Sequence, residues 1–192
     1  FRRVERMLAQ EMPAGYTLMP KANDVAGVVL GKSTWAVLGL ICHIEIFVLS
    51  HYRQAIEPDF ELSALWKDIF TFHAREESQH AIIDELEWQS ENAKLTAQQR
   101  DAAVDDLIEL VAAVDGILKT QAAADTDYFL RACGRSFGAA DVARIGDTML
   151  KAYRWQYIGS GVQDERFQKI LGGMTTKAQM ERIVAALGPI LA

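Results

Sequence analysis

Two histidines and a glutamate share one short segment, residues 73–80, at His73, Glu77 and His80. On a helix that turns about 100° per residue, these side chains and Asp84 project from one narrow stripe. Imidazole and carboxylate groups on one buried face suit iron, manganese or zinc. The spacing Glu-x-x-His also brings positions i and i+3 together on one metal site. We therefore expect His73, Glu77 and His80 to bind metal, while Asp84 orients a ligand histidine as its hydrogen-bond partner.

A solvated, charged helix face that carries two histidines by chance is the alternative interpretation, because Glu-x-x-His alone occurs often. Three features favour the metal site over this alternative. A histidine stands four residues before Glu77, the polar side chains share one face, and the preceding helix contains an acid, Glu45, that is predicted to be buried.

Glu45 lies within residues 35–49, which are apolar on almost every side except for His43 and Glu45 itself. A helix that is apolar all round is a central, buried helix. The stretch is too short and too interrupted for a membrane span, which needs about 20 apolar residues. A buried carboxylate is costly unless it is paired, protonated or bound to metal. This cost makes Glu45 the fourth predicted ligand.

The depth of Glu45 in the predicted hairpin agrees with this assignment. Glu45 precedes the turn at Pro58 by 13 residues, and Glu77 follows the start of its own helix by about 16 residues. At about 1.5 Å per residue, antiparallel neighbours bring these two acids to a similar level. Tyr52 lies on the same face as Glu45. It is either a hydrogen-bond donor to the ligands or a core tyrosine.

The helices that must position these residues follow from composition and caps. No proline lies between Pro58 and Pro189, and strong helix formers dominate, which predicts an all-α fold. We expect one domain over 1–192, with a metal-bearing hairpin at about 33–92 and C-terminal helices at about 97–188. The predicted helices are a helix tail at 1–10, then 24–31, 33–55 with Ser33 as cap, 62–92, 97–132, 139–160 and 176–187, with a loop around Pro13 and Pro20.

Charge and cysteine usage exclude some function classes. The net charge is −6 and no cluster of Lys and Arg is present, which argues against a nucleic-acid surface. Cys42 and Cys133 have no CxxC partner, so we interpret them as buried free thiols in a reducing compartment. No signal peptide or membrane span is predicted, and we expect a cytoplasmic protein.

Glu45, followed by His73-x-x-x-Glu77-x-x-His80, resembles the p-aminobenzoate N-oxygenase-like branch of the ferritin-like di-iron carboxylate superfamily. In that branch, a Glu on one helix is followed about 30 residues later by His-x-x-x-Glu-x-x-His; here 32 residues separate Glu45 from Glu77. Residues 51–56, 72–81 and 153–158 are similar to a group of uncharacterised bacterial ferritin-like proteins. The resemblance implies a ferritin-like bundle with extra C-terminal helices.

The sequence departs from the family pattern in one respect. A complete site in this superfamily has a second Glu and a second Glu-x-x-His, but all four histidines here lie between 43 and 80. We expect the other half-site, with further N-terminal helices, upstream of Phe1, where relatives carry a Glu-x-x-His. The alternative is that later helices supply non-standard ligands such as Asp115 or Asp125, or that only one metal binds.

Asp115 and Asp125 also belong to a polar set on the helix at 97–132, which is either a pocket or a polar seam at a helix interface. Arg154 follows in an aromatic segment, where we expect it to pair with a buried acid such as Asp125; the alternative is an anionic substrate. Residues 27–33 resemble a phosphate-binding loop, but only three residues separate the glycines where that loop needs four. Ser33 is therefore interpreted as a helix cap.

The resemblance implies an oxidase or oxygenase with two iron ions, or manganese as the alternative, that acts on an unknown small molecule with O₂. Glu45 and Glu77 would bridge or chelate, and His73 and His80 would bind terminally. The competing hypothesis is a non-catalytic metal-binding bundle or a degenerate structural one. The expected partners are the small-molecule substrate and O₂, without nucleic acid or membrane, and a homodimer is compatible with the sequence.

Overall fold

The computed structural model describes residues 2–11, 16 and 21–192, and over these residues the chain is an all-α bundle without strands, as predicted. The loop predicted around Pro13 and Pro20 falls largely outside the described residues. The helices are α1 (Arg2–Glu11), α2 (Ala22–Leu30), α3 (Thr34–His51), α4 (Ala64–Lys94), α5 (Ala97–Ala132), α6 (Ala139–Arg154), α7 (Ser160–Val162), α8 (Glu165–Met174) and α9 (Lys177–Leu191). Short π-helical turns extend α3 over Tyr52–Ile56 and α6 over Trp155–Gly159.

Helix α3 lies at the centre of the bundle and packs against α4, α5 and α7. Its buried residues include Trp35, Cys42 and Ile46, and they cover most of its circumference. This confirms the prediction of a central helix over residues 35–49. One side remains open, because Ile41 and Ile44 are exposed.

This stretch is not too short for a membrane span, which corrects the expectation from its sequence. With its π-helical extension it runs over Thr34–Ile56, 23 residues with a mean hydropathy of 1.5. By length and composition alone, it is the one helix in the described part of the chain that is long and apolar enough to cross a membrane. Within the apolar window, 56% of the residues are buried inside the protein, as in the core helix of a soluble protein, which passes the same test.

The contact between α3 and α4 is set by two tryptophans and a glycine. The rings of Trp35 and Trp88 lie 5.1 Å apart, both fully buried. The Trp35 indole N–H donates to Asn92 Oδ1 at 3.1 Å. A Cβ atom at Gly39 would lie 2.6 Å from Trp88 Cζ2. The absence of a side chain at Gly39 therefore allows α3 and α4 to approach each other closely.

The connection between α3 and α4 is closed by side-chain hydrogen bonds. Asp59 Oδ1 accepts from the backbone N–H groups of Glu61 and Leu62, an Asx-type turn. The Tyr52 hydroxyl lies 3.0 Å from Thr71 Oγ1, and Thr71 itself donates to the Lys67 carbonyl. Tyr52 is therefore the donor in the first bond. This bond fastens the end of α3 to α4 two residues before His73.

Threonine side chains cap the starts of two helices. Thr96 forms a capping box with Gln99 at the start of α5, and Thr176 forms one with Gln179 at the start of α9. Ser33 occupies the cap position of α3, but its hydroxyl makes no capping hydrogen bond. Its backbone N–H instead donates to Asp106 Oδ2 on α5 at 2.9 Å.

Helix α8 was not predicted, and α9 runs further than expected. Gly172 and Gly173 lower the helix propensity of this stretch by about 1 kcal/mol each. The helix forms because Asp164 caps it and because four of its apolar side chains are buried. Helix α9 continues to Leu191, past Pro189, whereas the prediction ended at 187.

The two cysteines are free thiols, as predicted. Cys42 is buried in α3, and burial raises the pKa of its thiol to about 12. Cys133, at the end of α5, is only half-buried, so the expectation that both thiols are buried is wrong for this one.

Candidate metal centre

Glu45, Glu77 and His80 converge between α3 and α4. One ligand atom from each residue lies within 4.8 Å of those of the other two. The similar depth predicted for the two acids is therefore confirmed, since the acid on α3 meets the Glu-x-x-His on α4. The packing of Trp35 and Trp88 sets the spacing of the two helices on which these residues stand.

Glu77 is the central residue of this cluster. Its Oε1 lies 2.5 Å from His73 Nε2, and its Oε2 lies 2.7 Å from His80 Nδ1. The carboxyl group of Glu45 hydrogen-bonds the same carboxylate. Glu45, Glu77 and His80 therefore lie together, and His73 contacts the other oxygen of Glu77.

The two acids differ in their protonation at neutral pH. Burial, the hydrogen bond to Glu77 and the charge of Glu77 raise the pKa of Glu45 to about 8. Burial also acts to raise the pKa of Glu77, but hydrogen bonds from Glu45 and His80 and the charges of His73 and His80 outweigh it and lower that pKa. At neutral pH the metal-free pair therefore holds one proton, on Glu45, and Glu77 is the anion.

The histidine at the rim of the cluster is open to solvent. The side chain of His80 is 45% exposed, whereas that of Glu77 is only 13% exposed. The hydrogen bond to Glu77 raises the pKa of His80. Apolar side chains at the surface flank the cluster on both helices, with Ile41 one turn before Glu45 and Ile83 three residues after His80. This face of the hairpin is apolar around a polar centre.

The two residues predicted to support the ligands differ in role. Tyr52 donates its hydroxyl proton to Thr71, so it links the two helices and not the ligands directly. Asp84 lies close enough to the cluster for the charges of its members to affect the pKa of Asp84. Burial and the charge of Glu87 raise its pKa, and the charges of His80 and Glu77 also act on it.

Asp115 is not a ligand of this cluster, which corrects one predicted alternative. It is buried, and it accepts from Arg154 Nε at 2.7 Å and from a second guanidinium nitrogen at 3.1 Å. Lys119 Nζ lies 2.7 Å from Asp115 Oδ2. Burial acts to raise the pKa of Asp115, but these two cations lower it overall. Arg154 has the structural role expected of it, with Asp115 as its partner and not Asp125.

Asp125 is likewise held away from the cluster. Its Oδ2 accepts from the Tyr153 hydroxyl at 2.5 Å, and its Oδ1 accepts from Gln121 Nε2 at 2.8 Å. The later helices therefore do not contribute either predicted non-standard ligand to the group formed by Glu45, Glu77 and His80 among the described residues.

His43 and His51, the other two histidines, do not belong to the cluster of Glu45, Glu77 and His80. The imidazole of His43 is buried, and its Nε2 lies 3.1 Å from the Ile158 carbonyl oxygen, to which it donates. Burial lowers the pKa of His43 to about 4, so the ring is neutral. A Cβ at Gly161 would lie 2.5 Å from the same ring nitrogen. Sequence reasoning missed this close approach, although the Gly-Ser-Gly at 159–161 marks it.

No protein-family model, curated protein or solved structure matches this chain.

The residues present fit a transition-metal ion. Two carboxylates and imidazole nitrogens are the donor set that iron, manganese and zinc share. The close approach of two acids, one of which must hold a proton when no cation is present, is the arrangement that a cation relieves.

Proposed function

We propose that Glu45, His73, Glu77 and His80 bind iron, or manganese, in a ferritin-like di-metal oxidase or oxygenase. The enzyme would act on a small molecule with O₂. The observation that carries this proposal is that each oxygen of Glu77 faces a different imidazole while Glu45 approaches the same carboxylate. This arrangement suits a carboxylate that contacts two ions. When bound, such ions supply the activation of O₂, which protein side chains alone do not provide.

The chain's own residues supply charge, orientation and one proton. Glu77 is the anion of the metal-free cluster, and Glu45 is its proton donor. With a cation bound, Glu45 would give up its proton to solvent and act as a carboxylate ligand beside Glu77. Asp84 follows His80 by one turn and adds negative charge on the same face.

The four residues from α3 and α4 make about half of the donor set of a di-metal centre. We propose that the remaining donors belong to helices that cover the apolar face around Ile41 and Ile83, both of which are exposed. A cover of this kind would exclude water from the oxidation chemistry.

A non-catalytic metal-binding bundle, or a degenerate structural one, is the second candidate. The observation in its favour is that the cluster is already hydrogen-bonded without metal, since Glu77 pairs with both histidines. In either case we propose a cytoplasmic location, because the thiol of Cys42 is free and buried.

The first experiment compares His80→Ala with Gln79→Ala, a matched control on the adjacent, exposed position of α4. After iron-replete expression, elemental analysis should show iron in the wild type and in Gln79→Ala. His80→Ala should lose its iron, with an affinity reduced by more than the roughly 10–100-fold typical of losing an outer partner. Circular dichroism should show unchanged helix content. Full iron loading of His80→Ala would refute the ligand assignment.

The second experiment separates the enzyme from the non-catalytic bundle. The anaerobically prepared ferrous protein is mixed with O₂ while visible absorbance is recorded. A transient band followed by ferric protein supports the oxidase or oxygenase. Iron that binds but is not oxidised faster than free ferrous ion would leave the non-catalytic bundle as the function.

A further inference from the structure

Two adjoining cavities lie on the side of α3 that faces away from Glu45. One, of about 540 Å³, is enclosed by α3, α5, α8 and α9. The other, of about 410 Å³, lies between α3, α5 and the end of α6. Both are lined by Leu40, His43, Val111 and Val162, so they adjoin at these side chains, and we describe them together as one apolar pocket with two lobes. We call it the rear cavity.

One carboxylate stands at the end of the smaller lobe. Asp125 receives hydrogen bonds from Tyr153 and Gln121, and Tyr16 donates a third. All three donors are uncharged groups. No Lys or Arg within the described part of the chain forms an ion pair with Asp125. Among the described residues, the carboxylate of Asp125 therefore has hydrogen-bond donors but no positively charged partner.

Aromatic rings surround this carboxylate. Tyr157 lies 6.1 Å from Tyr153 and 5.5 Å from Phe47, measured between ring centroids, in edge-to-face arrangements. Tyr16 lines the same lobe and is partly exposed, as is Tyr157. The smaller lobe is thus open to solvent at its aromatic end, and its walls combine tyrosine and phenylalanine rings with one carboxylate.

The phenols remain neutral in this setting. Burial, together with the hydrogen bond and charge of Asp125, raises the pKa of Tyr153, and burial raises that of Tyr157 as well. Both rings therefore keep the electron-rich faces of neutral phenols, which attract cations.

We propose that the rear cavity binds an alkylammonium ligand, whose cationic head lies at Asp125 among the tyrosine rings and whose apolar chain follows Leu40, Val111 and Val162. A carboxylate within an aromatic cage is the recognised way to bind an ammonium group. The mostly apolar remainder of the cavity matches the chain, as in ligand sites where a few polar groups fix orientation.

This site is independent of the metal cluster. His43 and Leu40 line the cavity from positions about 160° and 140° around α3 from Glu45. The proposal of ligand binding at Asp125 and the proposal of metal binding at Glu77 can therefore be tested independently of each other.

The test titrates the full chain by calorimetry with octylammonium, octanol and octanoate, each below its aggregation concentration. Octylammonium should bind about tenfold or more tightly than octanol, and octanoate should bind most weakly. Asp125→Asn should reduce octylammonium affinity to that of octanol. Asp127→Asn, on the exposed face of the same helix, should leave all three affinities unchanged.

Tyr157→Leu provides a second test in case Asp125→Asn does not fold. It keeps an apolar wall but removes a ring, so it should weaken octylammonium binding several-fold and leave octanol binding almost unchanged. Equal affinities for octylammonium and octanol in the wild type would overturn the proposal. So would octylammonium binding that both variants leave intact, or no octylammonium binding at all.

Discussion

Asp115 and Glu45 are both acids on long central helices, and the chain treats them in opposite ways. Asp115 is met by two cations, Arg154 and Lys119, at hydrogen-bond distance. Glu45 is met by a second acid, Glu77, and holds a proton well above the usual pH for a carboxyl group. An acid that is paired with cations of the same chain has a structural role. A pair of acids that must share a proton can instead bind a metal cation in place of that proton.

The largest change in stability should come from removing the ion pair between Arg154 and Asp115. Arg154→Ala leaves Asp115 buried with Lys119 as its remaining partner. We expect a loss of unfolding free energy on the order of 3 kcal/mol, because Lys119, whose side chain is 56% exposed, replaces only part of the charge and hydrogen bonding that Arg154 gives to the buried carboxylate. Urea denaturation followed by circular dichroism measures it.

Arg144→Ala on the same helix is the control. Its partner Asp141 is exposed, so this variant should cost about 0–1 kcal/mol. If Arg154→Ala proves as mild as Arg144→Ala, Asp115 is not held by charge pairing and the contrast with Glu45 fails.

The next effect concerns the helix spacing on which the acid pair depends. In Gly39→Ala, the new Cβ would lie 2.6 Å from the fully buried Trp88 ring. We expect a loss of about 1–3 kcal/mol from overpacking, together with weaker metal binding because α3 and α4 must separate. Denaturation and a metal titration on the same samples give both values.

Gly116→Ala on α5 is the matched substitution, since nothing lies within 4 Å of the place that its new Cβ would take. In an open helical position Ala is favoured over Gly by about 1 kcal/mol, so stability should rise slightly. Metal affinity should not change. A Gly39→Ala protein with unaltered metal affinity would show that the α3–α4 spacing does not control the cluster.

The smallest net effect should appear when the acid pair itself is altered in the metal-free protein, because the lowered pKa of Glu77 opposes the raised pKa of Glu45 in its effect on stability. The folded chain holds the Glu45 proton up to about pH 8, whereas the unfolded chain releases it near pH 4.5. This contribution to stability is therefore complete at low pH and is lost as pH rises towards 8. His80, whose pKa is also raised, acts in the same direction.

Glu45→Gln isolates the Glu45 part, because it keeps a hydrogen-bond donor for Glu77 without a titrating proton. The wild type should lose stability relative to Glu45→Gln between about pH 4.5 and 8. Thermal denaturation of both proteins with chelator present, at matched pH values, gives the difference. Parallel pH profiles would mean that the acids do not share a proton.

Local and periodic features were predictable from the sequence. The stripe of His73, Glu77 and His80 follows from helical geometry, and its meeting with Glu45 follows from counting residues on either side of one turn. Thr96 and Thr176 start their helices because their side chains cap free backbone N–H groups. The all-α class follows from the absence of proline between Pro58 and Pro189 and from the scarcity of strand patterns.

Features that depend on distant contacts were not predictable. Helix α8 forms although Gly172 and Gly173 have low helix propensity, because burial of its apolar side chains stabilises the helix. The partner of Arg154 is Asp115 and not Asp125, a choice made by the packing of α5 against α6. Neither the approach of His43 to Gly161 nor the rear cavity leaves a periodic pattern in the sequence.

The exposure of His80 has a consequence for how fast the proposed metal centre would exchange its ion. Because nearly half of this imidazole is open to solvent, a hydrated ion can meet its first ligand without any separation of α3 from α4. We expect uptake by the hairpin to be limited by release of water from the ion and not by motion of the helices. Chelators should then withdraw the ion by the same route, at a rate that is insensitive to the stability of the bundle.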